Sequence, residues 1–136
     1  MITCCKTEGK GADKYFVLLI ITDGELTDMD ETIDAIIVAC GFPLSIIIVG
    51  VGNADFSKMN LLDGDEKGLQ DSKGNYAPRD IVQFVAMRDY TDQNAIYHKL
   101  PADLLEEVPK QLTEYMLQNE LGPVFELPPG ELKNSI

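Results

Sequence analysis

One acidic residue stands where an α/β protein could place a ligand-binding side chain. Asp23 follows an apolar run, Tyr15–Ile21, with one residue between them. A carboxylate at the carboxyl end of a parallel strand lies where open α/β sheets gather their ligands, and Mg²⁺ prefers oxygen ligands. The sequence therefore makes Asp23 a candidate metal ligand. The alternative is that Asp23 only shapes the turn after the strand, and one carboxylate with waters would bind a cation weakly.

Two other acidic clusters are better explained as solvated surface than as metal sites. Residues 28–34 hold four carboxylates, but they lack the central glycine and the final glutamate of an EF-hand loop. Acidic residues at a helix start explain this cluster better. Asp63 and Asp65 lie in a polar, turn-rich segment. A small metal-dependent hydrolase that uses Asp23, Asp63 and Asp65 stays an alternative, which requires three neighbouring carboxylates; we expect them to lie apart.

The sequence offers no residue set for catalysis or for binding a nucleotide cofactor. Gly50-Val51-Gly52 follows a strand pattern, but the dinucleotide fingerprint needs a third glycine where Asp55 stands, and a carboxylate there would repel a pyrophosphate. Cys40 falls on an apolar helix face, which predicts a buried packing residue. His98, the single histidine, falls in a predicted loop. We therefore expect no catalytic residues, no enzyme activity and no bound nucleotide cofactor.

The charge of the chain argues against one large class of partners. Its 136 residues carry 11 Lys and Arg against 23 Asp and Glu, a formal net charge of −12. Such a surface repels phosphate backbones and anionic lipid headgroups, so we expect no nucleic-acid partner. Three cysteines, of which Cys4 and Cys5 are adjacent, predict no disulfide framework and a reducing, cytoplasmic location. The chain also lacks a signal-peptide pattern and an apolar run long enough to span a bilayer.

The elements that would position these residues begin with a strand–helix–strand unit. Tyr15–Ile21 and Ser45–Val51 are continuously apolar, as expected of strands buried on both faces. Between them, Ile33, Ile36, Ile37 and Cys40 have the spacing of one helical face, with Thr27 as the predicted N-cap. Short links between such elements predict a right-handed βαβ unit in a parallel sheet, with helices over both faces.

The rest of the chain predicts a further strand and two further helical segments. Residues 54–62 are expected to form a short helix, with Phe56 among the residues turned inward. A small hairpin is expected around Lys73–Asn75, and Ile81–Met87 is the third strand. Residues 101–120 have one apolar face, which includes Leu105, and Pro109 should kink or divide the helix. The predicted organisation is a flexible lead-in over 1–14, one domain over 15–120 and a Pro/Gly-rich tail over 121–136.

Several segments of this sequence resemble the copine family. They are LLIITDG at Leu18–Gly24, DMDET at Asp28–Thr32, PLSIIIVGVGNADF at Pro43–Phe56, LDGD at Leu62–Asp65 and RDIVQFV at Arg79–Val85. The combination of VGVGNADF, LDGD and RDIVQFV is specific, and the match continues in order to Met116. Copines are calcium-dependent phospholipid-binding proteins with two N-terminal C2 domains and a C-terminal domain of the von Willebrand factor A type.

The resemblance implies a partial three-layer α/β fold, the C-terminal part of such a domain. Domains of this type bind Mg²⁺ or Mn²⁺ at the carboxyl edge of the sheet. Their ligands come from an Asp-x-Ser-x-Ser-like motif, a Thr and an Asp, and Asp23 takes the third role. The first two segments should precede Tyr15, where only the lead-in stands. The resemblance therefore implies an incomplete metal site without bound metal in this chain, and it assigns Ca²⁺ to C2 domains outside it.

The function implied is a non-enzymatic module that recruits partner proteins. Membrane contact would be indirect, through the C2 domains, with calcium-dependent recruitment of the full-length protein from the cytoplasm to the plasma membrane. The alternative is the substrate-recruiting copine-like domain of a RING-type ubiquitin ligase, which a zinc segment rich in Cys and His would identify. The family's strand order also implies an open edge on Tyr15–Ile21, through which we expect self-association or docking of a complementary fragment.

Overall fold

A computed structural model describes residues 14–24, 26–63 and 68–121 of the chain. The predicted lead-in before Lys14, the loop residue Asp65 and the predicted tail after Leu121 lie outside these residues. Within them, none of the helices is both long enough and apolar enough to cross a bilayer.

Three strands form a parallel sheet at the centre of the described structure. They are β1 (Phe16–Thr22), β2 (Leu44–Gly50) and β3 (Val82–Ala86), in the order β1-β2-β3. Phe16 pairs with Leu44 at one end of β1, and Ile46 pairs with Val82 at the start of β3. Both pairings are parallel, which confirms the predicted βαβ unit. The bounds of each strand differ from the prediction by one residue at both ends.

Helices follow each strand. They are α1 (Met29–Ala39), α2 (Ser57–Asp63), α3 (Leu100–Leu105) and α4 (Val108–Gln118), with a 3₁₀ turn at Met87–Asp89 and a π-helical turn at Ala95–Lys99. The helix α1 begins one residue later than predicted. The N-cap of α1 is Asp28, and the predicted N-cap, Thr27, is wrong. The carbonyl of Asp28 accepts the first hydrogen bonds of the helix, from the N–H of Thr32 at 3.1 Å and from the hydroxyl of Thr32 at 2.8 Å.

The main core lies between one face of the sheet and the helices α1 and α2. Its buried members include Ile36 and Cys40 from α1 and its C-cap, Phe56, Met59 and Leu62 from α2 and the residue before it, and Leu44, Ile46, Ile48, Val82 and Phe84 from the strands. The predicted apolar faces of both helices are therefore confirmed. Burial of these side chains supplies the main stabilisation of the fold.

The opposite face of the sheet packs against the C-terminal helices. Tyr115 of α4 is 1% exposed, and its ring meets that of Tyr15 edge-on at 6.2 Å between centroids. The hydroxyls of Tyr15 and Ser45 form a hydrogen bond of 2.8 Å across β1 and β2. Helices therefore flank the sheet on both sides, in the three-layer α/β arrangement expected of a partial von Willebrand factor A-type domain.

The predicted effect of Pro109 is confirmed, because the helical segment divides at Glu106–Glu107 and α4 starts with Pro109 in its first turn. One detail of the prediction is wrong. Leu105 was expected on the apolar face but is 55% exposed. It is the last residue of α3, and the bend that follows gives α3 and α4 separate faces.

The hairpin expected around Lys73–Asn75 is also present. Gln70 and Tyr76 form an antiparallel bridge, and Gly74 takes a φ of 88°, which favours glycine. The carboxylate of Asp71 accepts the backbone N–H groups of Lys73 at 2.9 Å and Asn75 at 2.7 Å. These bonds lower the pKa of Asp71, with those from Asn75 contributing most. The hairpin is also held to α1, because Asp34 accepts the backbone N–H of Ser72 at 3.0 Å and its hydroxyl at 2.9 Å.

A buried arginine that the sequence did not single out joins three parts of the fold. Arg79 is 5% exposed, and its guanidinium donates to four backbone carbonyls: Cys40 at 2.9 Å, Phe42 at 2.6 Å, Leu44 at 3.0 Å and Gln111 at 3.2 Å. It also lies 5.3 Å from the centroid of the Tyr115 ring. The fixed fork of a guanidinium suits such a set of acceptors. Arg79 thereby ties the end of α1 and the start of β2 to α4.

Candidate functional site

The carboxyl ends of all three strands meet at one edge of the sheet, and Asp23 lies there. Its side chain is exposed in the turn after β1. The turn is shaped by its neighbours, because the N–H of Gly24 donates to Oγ1 of Thr22 at 3.3 Å. The carbonyl of Thr22 accepts the N–H of Val51 at 2.8 Å, which holds the turn against the end of β2. Asp23 therefore occupies the position that the sequence predicted, pointing into solvent.

The described residues do not complete a cation site around Asp23. Among them, no group of three or more His, Cys, Asp or Glu side chains could hold a metal ion. Mg²⁺ demands near-octahedral oxygen coordination, and a single carboxylate leaves most of that coordination to water. Asp23 as a metal ligand therefore stays a prediction that depends on oxygen ligands from elsewhere.

Asp63, the second carboxylate of the hydrolase alternative, has a structural partner. Its Oδ1 accepts the backbone N–H of Phe84 at 3.0 Å, which joins the end of α2 to β3. Asp65, the third carboxylate, lies outside the described residues. Within the described part of the chain, the structure gives a metal-dependent hydrolase no convergent set of carboxylates.

Gly50, the last residue of β2, allows the close packing of a buried aromatic ring. A Cβ on Gly50 would lie 2.8 to 3.0 Å from three ring atoms of Phe56, so the close approach of this buried ring requires glycine. Asp55 stands where the fingerprint needs its third glycine, and its Oδ1 accepts the N–H of Ser57 at 2.9 Å. The hydrogen bonds from Ser57 hold the pKa of Asp55 below its ordinary value. This carboxylate shapes the start of α2.

The structure places Cys40 where the sequence predicted it. Its side chain is 2% exposed, and its thiol donates to the carbonyl of Arg79 at 3.3 Å. Burial raises the pKa of the Cys40 thiol to about 11. At neutral pH the group is therefore a protonated packing residue rather than a thiolate nucleophile.

His98 lies in a π-helical turn, so its predicted place in a loop is wrong. Oδ1 of Asp92 accepts the N–H of Ala95 at 2.8 Å and starts this turn. Leu100 donates its N–H to the carbonyl of Ala95, five residues earlier, which is the π-helical pattern. The next residue, Pro101, has no N–H to donate to a regular α-helix. The His98 side chain is exposed.

A groove that the sequence did not reveal runs along the outer edge of β3, between α2 and α3. It encloses about 390 Å³. Its buried lining residues are Phe56, Phe84, Val85, Ala86 and Tyr90, and its more polar ones are Asn60, Gln83, Arg88, Asp89, Asp103 and Glu106. We call this set the β3 groove. Only tertiary packing brings these residues together, since they come from three separate segments, 56–60, 83–90 and 103–106.

Two comparisons place the chain among known proteins. The family model of copines matches residues 1–124. Copine-A of Dictyostelium discoideum is 53% identical over 116 residues, which cover 85% of this chain and 19% of that relative. The chain thus spans about a fifth of the length of the curated relative that it matches. With the parallel α/β fold and the specific segments around β2 and β3, these matches show that the chain belongs to the copine family.

Proposed function

We propose that this chain is a non-catalytic interaction module that recruits partner proteins to a copine-like protein. The observation that carries the proposal is the exposed apolar surface of β1. Val17, Leu19 and Ile21 are 44%, 55% and 65% exposed, although they sit in a strand of the central sheet. Contiguous exposed apolar surface of this kind marks sites where proteins associate.

The backbone of β1 offers hydrogen bonds along the same surface. Phe16 donates to the carbonyl of Pro43 at 2.8 Å and Thr22 accepts from Val51 at 2.8 Å, so alternate residues from Phe16 to Thr22 bond to β2. The residues between them, Val17, Leu19 and Ile21, direct their N–H and C=O groups to the outer edge. Within the described residues, no strand lies on that edge. An added strand could bond there.

The sequence of β1 lacks the features that normally protect an edge strand. FVLLIIT contains no charged residue and no proline, whereas edge strands that avoid pairing usually carry one or the other. The edge of β1 is therefore suited to a strand from another part of a longer polypeptide, from a partner protein or from a second copy of this chain.

We assign the other properties of the family to parts of a longer protein that contains this chain. We assign calcium-dependent binding of phospholipid and recruitment to the plasma membrane to parts outside this chain, because a net charge of −12 opposes direct contact with anionic lipid. Asp23 contributes one carboxylate to an Mg²⁺ or Mn²⁺ site whose other ligands lie outside the described residues.

An affinity pull-down with matched variants tests the recruitment of partners. Immobilised wild-type chain, Leu19→Lys and Leu61→Lys would be incubated with cytosolic lysate, with Mg²⁺ and then with a chelator. Leu61 is 65% exposed on α2 and so matches Leu19 in side chain and exposure without lying on β1. We expect proteins that bind the wild type and Leu61→Lys but not Leu19→Lys. Capture of the same proteins by all three variants, or of none by the wild type, would contradict the proposal.

Size-exclusion chromatography with light scattering tests whether a second copy occupies the edge. We expect the average mass of the wild type to rise with protein concentration, and the mass of Leu19→Lys to stay that of the monomer at every concentration. Leu61→Lys should behave as the wild type does. A wild-type chain that stays monomeric throughout would remove self-association through β1.

A further inference from the structure

Among the described residues, the outer edge of β3 is capped along part of its length and uncapped beside the β3 groove. Ile46 donates its N–H to the carbonyl of Ile81 at 2.7 Å, so the parallel register turns the backbone groups of Val82, Phe84 and Ala86 away from β2. These groups form the outer edge of the sheet on the side opposite to β1.

Two aspartates cap the first amides on that edge. The N–H of Val82 donates to Asp80 at 3.0 Å, and the N–H of Phe84 donates to Asp63 at 3.0 Å. The carbonyl of Phe84 and the N–H of Ala86 come next, where the edge lines the β3 groove. A peptide that runs parallel to β3 could therefore place one residue where it donates to the Phe84 carbonyl and accepts from the Ala86 N–H.

The groove is also lined by one residue with a buried, unpaired hydrogen-bond acceptor. Oε1 of Gln83 is buried and has no hydrogen-bond partner among the described residues. The exposed carboxylates of Asp89 and Glu106 also line the groove, where they add negative charge. Asp103 accepts the hydroxyl of Tyr90 at 2.5 Å. A buried acceptor left unpaired costs free energy, which a ligand that donates a hydrogen bond to it would recover.

The charges of the lining favour a cation. The groove is lined by three carboxylates and one guanidinium. The guanidinium is already engaged, because Arg88 donates to the carbonyl of Ala54 at 2.8 Å and lies 5.2 Å from the Phe56 ring. Lys99 is a second nearby cation, with Nζ 5.8 Å from the Tyr90 ring. The balance is negative, as in the whole chain at −12, and it repels acidic or phosphorylated ligands.

We propose that the β3 groove binds an extended segment of a partner protein through one lysine or arginine side chain. One residue of the segment bonds to the Phe84 carbonyl and the Ala86 N–H. The basic side chain beside it donates to Oε1 of Gln83 and to the carboxylates of Asp89 and Glu106. The volume of 390 Å³ lies within the usual range of ligand pockets, about 300–1,000 Å³. This assignment rests on the proposed function, since it names a class of partner.

A labelled peptide tests the groove directly. The probe is a fluorescein-labelled peptide of alternating Val and Arg residues, and its binding to the full chain is followed by fluorescence anisotropy at about 0.15 M ionic strength, where long-range attraction is screened. The matched peptide carries Glu in place of each Arg. We expect saturable binding of the Arg peptide alone, and binding of the Glu peptide with equal affinity would overturn the assignment.

Charge-reversal variants separate the groove from the general acidity of the chain. Asp89→Lys/Glu106→Lys places two cations in the groove, whereas Glu31→Lys/Glu120→Lys changes the net charge equally at exposed positions that do not line it. We expect the first pair to weaken binding of the Arg peptide at least about tenfold and the second less than about twofold. Equal weakening by the two pairs would overturn the proposal.

A backbone measurement supports the test without relying on variants. In ¹H–¹⁵N spectra of the wild-type chain, the Ala86 amide should shift progressively as the Arg peptide is added, while the Val17 amide on the opposite edge should not. Unchanged Ala86 shifts at saturation would overturn the proposed pairing. If the peptide does not bind while the lysate pull-down still captures partners, the groove assignment fails and the proposed function stands.

Discussion

The Cys40 thiol gives the unfolding free energy a pH dependence that can be isolated. Burial raises its pKa from an ordinary value near 9 to about 11. Below pH 9 the thiol is protonated in both the folded and the unfolded chain. Between about pH 9 and pH 11 only the unfolded chain loses this proton, so stability falls as pH rises, by about 3 kcal/mol in all.

Urea unfolding of the wild type and Cys40→Ala at several pH values would measure this effect. Cys40→Ala should cost stability at every pH through lost packing, but the decline above pH 9 should be smaller than in the wild type. Tyr90, whose pKa is raised to about 12 mainly by burial, is present in both proteins and cancels in the comparison. Equal slopes for the two proteins would contradict the assignment to Cys40.

At the residue scale, the sequence predicted apolar side chains well and buried polar ones poorly. Ile36, Cys40 and Phe56 lie in the core as predicted. Arg79 and Gln111 are 5% and 2% exposed, although both residue types are mostly exposed in proteins. Their burial depends on carbonyls and side chains that come together only in the folded chain, and periodicity carries no signal for that.

At the scale of elements, hydrophobic pattern predicted the type and direction of each strand and the two helices beside them. Element ends were less accurate, because they depend on which backbone group bonds to which, as at Asp28 and Thr32. The π-helical turn at Ala95–Lys99 was missed, since its residues are mostly polar or exposed and show no apolar face. Proline was the most informative signal for the last helices.

Pro109 should cost α4 little, because proline in the first turn of a helix removes only an N–H that has no partner within the helix. We expect Pro109→Ala to change the free energy of unfolding by less than about 1 kcal/mol. Thr113→Pro, one turn later, should cost about 3 kcal/mol or more, because the ring breaks an interior hydrogen bond.

Urea unfolding of both variants, with Thr113→Ala as the control, measures the difference. The control is needed because the Thr113 hydroxyl donates to the Pro109 carbonyl at 2.8 Å, and its loss must be subtracted. A cost for Pro109→Ala that equals the cost for Thr113→Pro would mean that the proline itself stabilises the boundary between α3 and α4.

At the scale of the whole molecule, the two candidate surfaces differ in how far the sequence could predict them. The open edge of β1 follows from one apolar strand and the family's strand order, and both were available from the sequence. The β3 groove depends on Phe56, Gln83, Asp89 and Glu106, which are distant in the chain and share no periodic pattern. Such a site appears only when the sheet and its flanking helices are assembled.

The net charge of −12 should make the stability of the fold depend on salt. Repulsion among carboxylates is stronger in the compact chain than in the unfolded one, and the Debye length shortens from about 30 Å at 0.01 M to about 8 Å at 0.15 M. We therefore expect the free energy of unfolding at pH 7 to rise with added NaCl, by on the order of 1 kcal/mol across this range. Urea unfolding at each salt concentration is the measurement.

Asp89→Lys/Glu106→Lys, which carries less net negative charge, should gain less from salt than the wild type. A fold that loses stability as NaCl is added would mean that attractive charge pairs, rather than the net repulsion, dominate its electrostatics.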